Sequence, residues 1–221
     1  MLPLLYYITD RRQFSGDSNE QERRLLDKMA ECAAAGVDYI QLREKDLSTR
    51  VLEELANKAM SVLGGSRTKL LINSRTDVAL ACGAHGVHLP SNDLPASEAR
   101  TIFSVANQTV PNMAGPIIGI SAHSAAEIAY AEAHGADFAV FAPVFAKGGA
   151  ANPEGLKQLR KICSRSHTAT SAMPVLALGG ITLQNAHLCL QAGARGIAGI
   201  RLFQANDAHT VVRKLRGESM P

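Results

Sequence analysis

A histidine follows a predicted buried strand and precedes a predicted helix. Residues 117–123 read IIGISAH, and an alanine-rich stretch follows at 124–134. An imidazole has an unperturbed pKa of about 6.5, so it can both accept and return a proton near neutral pH. We take His123 as a candidate acid–base catalyst, with helix capping or a local hydrogen bond as the alternative. The architecture around it decides between them.

A second group of reactive side chains stands in the stretch QLREKD. Gln41, Arg43 and Lys45 occupy alternate positions and therefore share one face of an extended chain. Two cations and an amide suit a polyanionic ligand. The alternative is a solvated charge cluster at the entry to a helix, in which Glu44 and Asp46 neutralise the two cations.

Composition limits the classes of function. The chain has 221 residues and a net charge of +3, which allows a substantial core but does not indicate nucleic-acid binding. No apolar run approaches the ~20 residues of a membrane span. Nothing at the N-terminus resembles a signal peptide. The four cysteines are widely spaced, which indicates free thiols. We expect a cytoplasmic protein with neither a membrane nor a nucleic-acid partner.

One pattern recurs along the chain at spacings of about 50 residues, or roughly two βα units. An alanine-rich helical stretch ends in glycine, and a β-branched or aromatic run follows. Each glycine fits the position just after a helix, where the left-handed backbone is favourable for glycine. The four glycines are Gly36, Gly83, Gly135 and Gly193.

Interleaving this pattern with the other apolar runs predicts eight short strands. They span residues 4–9, 37–43, 69–73, 86–89, 117–122, 138–144, 174–179 and 196–202. Helices are predicted at 20–35, 48–63, 75–82, 96–105, 124–134, 155–163, 183–191 and 207–216, and exposed loops at 105–116 and 164–174.

The predicted strands are continuously apolar, which indicates burial on both faces of a parallel sheet. Eight βα units in this length predict a single (β/α)8 TIM barrel over residues 1–221. The alternative is an open doubly wound sheet, but the G-x-G-x-x-G signature is absent after the first strand.

In such a barrel the polar residues just after the strands should line the active site. The candidate substrate-binding residues are Gln41, Arg43, Lys45, Asn73, His88 and Ser121. The candidate phosphate-binding residues are Gly179, Gly180, Ile200, Arg201 and Lys147.

The phosphate assignment depends on backbone amides at the ends of strands seven and eight. Gly179 and Gly180 are expected to supply them with the segment at Ile200, although a Gly-Gly pair also suits a simple tight turn. Arg201 is expected either to clamp phosphate or to pair with Glu44 or a neighbouring helix. Lys147 lies in a glycine-rich loop that is either a lid over phosphate or an ordinary connection.

Asp93 is the candidate metal ligand. Its carboxylate suits Mg²⁺, but it precedes a predicted helix and could equally cap it.

Taken together, an ordered series of motifs resembles the thiamine phosphate synthase/TenI family over nearly the whole chain. The motifs are YYITD, GVDYIQLREKD, LLINSRTDVALACGAHGVHLPSNDLP, GISAHS, GADFAVFAPVF and ALGGIT. The resemblance implies a (β/α)8 barrel whose small-molecule partner is a thiazole phosphate of thiamine biosynthesis. The synthases join hydroxymethylpyrimidine diphosphate to it with Mg²⁺. The TenI-type relatives isomerise a thiazole carboxylate phosphate without a metal, and the family histidine that moves the proton falls on His123.

Departures from the synthase motifs concern the metal and the diphosphate. The Asn-Asp expected after strand three is Asn73-Ser74, and the G-Q-x-D expected after strand four is PSND, which keeps Asp93. The Thr-x-Thr-Lys loop becomes FAKGGAAN, which keeps only Lys147. Arg201 follows Ile200 where the synthases have serine. Each lost charge-stabilising group is worth on the order of 10²–10³ in rate.

These departures favour a thiazole tautomerase that uses His123 and needs no cofactor. The alternative is a thiamine phosphate synthase with Mg²⁺ at Asp93. A second alternative is a regulatory barrel that binds the ligand without catalysis. Whether the protein is a monomer or a homodimer is left open.

Overall fold

The predicted barrel is confirmed by the computed structural model, which describes residues 2–107, 115–165 and 173–217. Eight parallel strands close on one another in chain order, and β8 pairs with β1. The strands are β1 (Leu4–Ile8), β2 (Tyr39–Leu42), β3 (Lys69–Asn73), β4 (Gly86–Leu89), β5 (Ile117–Ala122), β6 (Phe138–Phe141), β7 (Val175–Ala177) and β8 (Gly196–Gly199).

Helices alternate with the strands as predicted, within a few residues at each end. They are α1 (Ser18–Ala34), α2 (Thr49–Val62), α3 (Thr76–Ala81), α4 (Ala96–Asn107), α5 (Ala125–Ala133), α6 (Pro153–Arg165), α7 (Ala186–Gln191), α8 (Arg201–Gln204) and α9 (Ala208–Arg216). The helices α4 and α6 run further than expected. Most of the two predicted loops, residues 108–114 and 166–172, lies outside the described residues.

The end of the last strand differs from the prediction. The strand was expected to continue to residue 202, but it ends at Gly199, and α8 begins at Arg201. The reason is the backbone of Ile200, whose carbonyl accepts from the amides of Phe203 (3.2 Å) and Gln204 (2.9 Å). The chain therefore turns into a helix at once, and Arg201 stands on the rim of the barrel.

The repeated glycines end their helices as predicted. Gly36, Gly83, Gly135 and Gly193 have φ of +87°, +66°, +78° and +97°, in the left-handed region. Each lies directly after the last helical turn, so the chain reverses and enters the next strand from the bottom of the barrel.

Two apolar clusters explain why the strands are apolar at every position. Tyr6 and Ile8 belong to a cluster inside the barrel, whereas Leu5 and Tyr7 belong to the larger cluster between strands and helices. The interior is filled by aromatic rings: Phe138 lies 5.4 Å from Tyr6, measured between ring centroids. Because the barrel is packed below, a ligand has to bind at its rim.

All four cysteines are free, as predicted. Within the described ranges, no helix has the length and apolar character needed to cross a membrane.

Candidate active site

His123 lies on the upper rim, one residue after β5, and its side chain is exposed. Its Nδ1 is 2.8 Å from the carbonyl oxygen of Ala142, at the end of β6. A carbonyl oxygen only accepts, so Nδ1 carries the hydrogen, and in the neutral ring Nε2 is the free base. The capping alternative is wrong, because Ser124 is the N-cap residue of α5 and accepts from the amide of Glu127 at 3.2 Å.

His88 lies inside the barrel mouth and is buried. Its Nε2 is 2.9 Å from Ser121 Oγ, and its Nδ1 is buried without a partner within the described part of the chain. Burial lowers the pKa of His88 to about 3, and the positive charge of Arg43 acts in the same direction. His88 is therefore a neutral hydrogen-bonding group at any working pH, paired with Ser121.

A depressed histidine pKa makes stability depend on pH. Protons bind this histidine more readily in the unfolded chain, so the stability it contributes is present above about pH 6.5 and is lost as the pH falls toward 3. Between pH 7 and pH 5 the loss is about 2 kcal/mol for this residue. We predict that His88→Gln removes this part of the pH dependence in urea unfolding. The control is His209→Gln at an exposed position, which should keep the pH dependence of stability. Equal slopes of unfolding free energy against pH in wild type and H88Q would contradict this prediction.

Gln41 also faces the interior, as the alternation in β2 predicts. Its Nε2 donates to the hydroxyl of Tyr6 at 2.9 Å, and both residues are buried. Burial raises the pKa of Tyr6 well above its usual range, so its hydroxyl stays protonated. Gln41 is thereby held in one orientation directly below the rim.

The two cations that follow Gln41 are not neutralised by their neighbours. Glu44 and Asp46 both bind Arg11, from the loop after β1: Arg11 Nη1 lies 3.0 Å from Glu44 and 2.7 Å from Asp46. No ion pair or side-chain hydrogen bond engages Arg43 or Lys45 anywhere in residues 2–107, 115–165 or 173–217. The neutralisation by Glu44 and Asp46 that the alternative assumed is therefore not seen, and two positive charges remain available to a ligand.

Glu44 is the centre of a buried network that sequence reasoning missed. It is 5% exposed and accepts from Thr9 Oγ1 (2.6 Å) as well as from the backbone and side chain of Arg11. Burial raises the pKa of Glu44, and these hydrogen bonds oppose that rise. Glu44 is thus occupied, so it cannot pair with Arg201 as one alternative proposed.

Breaking this network should strongly destabilise the protein. We predict that Arg11→Ala lowers the free energy of unfolding by about 3–5 kcal/mol, because it leaves a buried carboxylate without its partner. Arg50→Ala is the control, since the Arg50–Glu54 pair is exposed and worth about 0.5 kcal/mol at most. Urea unfolding measures both, and similar losses for the two variants would contradict a buried ionic network.

Asn73, Ser74 and Asp93 meet on the adjacent part of the rim. Ser74 Oγ donates a very short hydrogen bond to Asp93 Oδ2, while Asp93 Oδ1 accepts from the amide of Leu94 at 2.8 Å. Asp93 therefore does not cap α4, and the capping alternative is not seen. Lys45 lines the same cavity of about 280 Å³ as Asn73 and Ser74.

The ends of β7 and β8 form a small cavity of about 150 Å³, which residues 178–181 and 198–202 line. We call it the inner cradle, and its predicted residues are Gly179, Gly180, Ile200 and Arg201. Their backbone N–H groups donate no hydrogen bond to any described residue. Converging free amides favour a bound anion, so the structure brings these four predicted phosphate residues together.

Lys147 lies beside the inner cradle. It begins a 3-10 turn in the loop between β6 and α6, and that loop is joined to the β7 loop by a hydrogen bond from Phe145 N to Gly179 O at 3.0 Å. The Lys147 side chain is exposed and has no partner among the described residues. Arg201 is likewise exposed and unpaired within the described chain.

Few side chains at this rim could hold a metal ion. The described residues contain no group of three or more histidine, cysteine, aspartate or glutamate side chains that could hold a metal ion. Asp93, with the hydroxyl of Ser74, is the oxygen set that fits Mg²⁺, which often binds through one or two carboxylates and completes its shell with substrate phosphates and water.

Two features of the site lie beyond sequence reasoning. The Ser74–Asp93 contact joins loops 19 positions apart, and Thr9, which binds both Glu44 and the amide of Arg43, lies directly after β1. The only available signal was that Thr9 ends one predicted strand and Glu44 directly follows the next.

Known proteins are similar to this chain in sequence and in fold. A family model described as thiamine monophosphate synthase matches residues 5–203. A putative thiamine-phosphate synthase 2 from Aquifex aeolicus is 40% identical, over 91% of this chain and 98% of that protein. A thiamine-phosphate synthase from Methanoculleus marisnigri is 38% identical, over 96% of this chain and 93% of that protein.

A solved structure agrees with these sequences. The thiamine phosphate pyrophosphorylase from Pyrococcus furiosus superposes with a TM-score of 0.73 at 32% identity, covering 97% of this chain and 94% of the other. The predicted family is confirmed by each of these comparisons. The chain belongs to the thiamine monophosphate synthase/TenI family and is an enzyme of thiamine biosynthesis.

Proposed function

We propose that this protein is a thiamine-phosphate synthase, which joins hydroxymethylpyrimidine diphosphate to thiazole phosphate. Relatives named thiamine-phosphate synthase and thiamine phosphate pyrophosphorylase align with this chain over nearly their whole length. They therefore favour this reaction over the tautomerase that the motif departures had favoured.

The observation that carries the proposal is the amount of unpaired positive charge on the rim. Arg43, Lys45, Lys147 and Arg201 have no anionic partner within the described residues, and Asp93 stands on the same rim in the loop after β4. One phosphate in the inner cradle is served by its free amides, with Arg201 at the edge of the cradle. The other three cations suit a second polyanion, and a diphosphate is one.

The reaction needs those charges at the leaving group. The thiazole nitrogen attacks the methylene carbon of the pyrimidine substrate, the new C–N bond forms, and the C–O bond to diphosphate breaks. Negative charge grows on the departing diphosphate, so fixed cations around it lower the barrier. Gln41, Asn73, and the His88–Ser121 pair supply neutral hydrogen-bonding groups at the mouth, where we propose that the ring substrates are oriented.

Mg²⁺ would be held by Asp93 and Ser74 together with the substrate diphosphate, and it would neutralise charge on that group. The set contains one carboxylate where the synthase motif implies two. We therefore expect a Mg²⁺ requirement that is met only at relatively high concentration.

The test is to incubate the protein with both substrates and Mg²⁺ and to measure the two products. We expect thiamine phosphate and diphosphate to form in equal amounts. Lys45→Ala should slow the reaction, and Lys214→Ala, an exposed change on α9, should not. Absence of thiamine phosphate at saturating substrates, with the fold intact, would overturn the proposal.

The tautomerase remains a second candidate because of one observation. The bond from His123 Nδ1 to Ala142 leaves Nε2 as a free base at the rim, as proton transfer within a thiazole carboxylate phosphate would require. The test measures isomerisation through the change in absorbance of the thiazole, in wild type and in His123→Asn. The metal-independent reaction should vanish in the variant if this candidate is right, and its absence from wild type would reject it.

A cytoplasmic location stays a prediction, and a homodimer is the second arrangement to test against a monomer. Size-exclusion chromatography with light scattering addresses the second.

A further inference from the structure

We propose that the thiazole site extends outward into a second chamber that takes a further phosphoryl group, so that diphosphate esters of the thiazole alcohol bind more tightly than the monophosphate. This inference rests on the proposed function, because it assumes that the thiazole phosphate occupies the inner cradle. It adds a specificity for the length of the phosphate tail, and it assigns that specificity to Arg201.

The second chamber is a cavity of about 340 Å³ on the outer side of the β7 and β8 loops. We call it the outer chamber; its polar lining residues are Thr182, Gln184, Arg201 and Asn206, with Gly149 on one wall. Arg201 and Gly180 line both the outer chamber and the inner cradle. The two cavities are therefore neighbours, and Arg201 belongs to the wall that they share.

The wall of the outer chamber is fixed by side-chain hydrogen bonds. Asn185 Nδ2 donates to the carbonyl of Gly180 at 3.0 Å, and Asn185 Oδ1 accepts from the amide of Thr182 at 2.8 Å. Gly149 packs closely there, since an added methyl group would come within 3.0 Å of Thr182 Cγ2. The outer chamber is thus bounded on two sides by loops that these hydrogen bonds and packing contacts keep in place.

The charge of the outer chamber suits an anion. No aspartate or glutamate is found among the described residues that line either cavity. Arg201 contributes a positive charge that no described carboxylate neutralises, and Lys147 directly precedes the glycines of the wall. A guanidinium binds phosphate oxygens through two parallel N–H groups, so it can hold a phosphoryl group that the main-chain amides do not reach.

These features identify the chemistry of the ligand. The first phosphoryl group occupies the free amides of the inner cradle, and a second, joined through a P–O–P bridge, extends past Arg201 into the outer chamber. A serine at position 201 could not reach across this boundary, so the arginine confers the preference. The ligand class is a thiazole alcohol ester with two linked phosphoryl groups, either a simple diphosphate or a nucleotide ester.

The experiment is calorimetric binding of the thiazole monophosphate and the thiazole diphosphate to the full-length protein, without the pyrimidine substrate and without Mg²⁺. We expect wild type to bind the diphosphate about 10- to 100-fold more tightly, as one added charge-assisted contact implies. Arg201→Ser should reduce this preference to about threefold or less. Ala205→Phe, which fills the outer chamber, should do the same, whereas Lys214→Ser removes one distant exposed charge and should keep it. The nucleotide ester, added as a third ligand, separates the two members of the class.

Two results would overturn this inference alone: equal binding of the two esters by wild type, or an unchanged preference in both R201S and A205F. If wild type binds neither ester, the proposed function is overturned as well. Thiamine phosphate formation is measured separately, so the two failures are distinguishable.

Discussion

Gly180→Ala is expected to lower kcat/KM for thiazole phosphate by about 100-fold or more, because a displacement near 1 Å in a binding element has effects of this size. A methyl group there would lie 2.2 Å from the carbonyl oxygen of Ala146 and 2.8 Å from Cβ of Phe145. The backbone also has a φ of +59°, which a side chain disfavours. The β7 loop must move, and the free amides of the inner cradle move with it.

The matched control is Gly65→Ala. Gly65 has a φ of +78° in the turn after α2, but an added methyl group meets nothing within 4 Å. The two variants share the backbone cost and differ in the clash and in the distance from the cradle. Steady-state kinetics with varied thiazole phosphate, alongside urea unfolding, separates binding from stability. An equal loss of kcat/KM in both variants would show that the cradle is not the phosphate site.

Asp93→Asn is expected to reduce Mg²⁺-dependent synthesis of thiamine phosphate by about 100-fold, the effect of removing one strong electrostatic contact from a reacting centre. The amide keeps the size of the side chain and can still accept from Ser74 Oγ, so the loop should stay in place. The change removes the negative charge on which the proposed Mg²⁺ site depends. Initial rates over a range of Mg²⁺ concentrations measure it.

Ser74→Asp tests the same site in the opposite direction. It restores the second carboxylate of the synthase motif beside Asp93, and Ser74 has a φ of +63°, which aspartate tolerates well. We expect half-maximal activity at a Mg²⁺ concentration about tenfold lower. Asp77→Asn, an exposed carboxylate paired with Arg75, is the control. Unchanged Mg²⁺ dependence in both D93N and S74D would place the metal elsewhere.

The fold was predictable because its signals are local. Each continuous apolar run became a strand, and Gly36, Gly83, Gly135 and Gly193 ended helices in the left-handed conformation that the repeat required. The error at strand eight has a local cause that hydrophobicity does not report. Arg201 and Leu202 resemble a strand end by composition, yet the carbonyl of Ile200 closes a helical turn there.

The site was predictable only in part, because its chemistry depends on pairing across the barrel. Sequence placed Arg43 and Lys45 next to Glu44 and Asp46 and could not tell that Arg11, about 30 residues earlier, takes both carboxylates. That contact changes the interpretation from a neutral cluster to an open pair of cations. The motif departures favoured a tautomerase because they report only which charge-stabilising groups are lost. The positive charge that remains unpaired can be identified only once the ion pairs are known.

A calorimetric titration measures whether the rim holds two anions at once. The protein is saturated with thiazole phosphate, and diphosphate with Mg²⁺ is titrated in a calorimeter. If the inner cradle and the site served by Arg43, Lys45 and Lys147 are separate, diphosphate binds with one-to-one stoichiometry and an affinity that thiazole phosphate does not weaken. Competition between the two ligands would contradict the account.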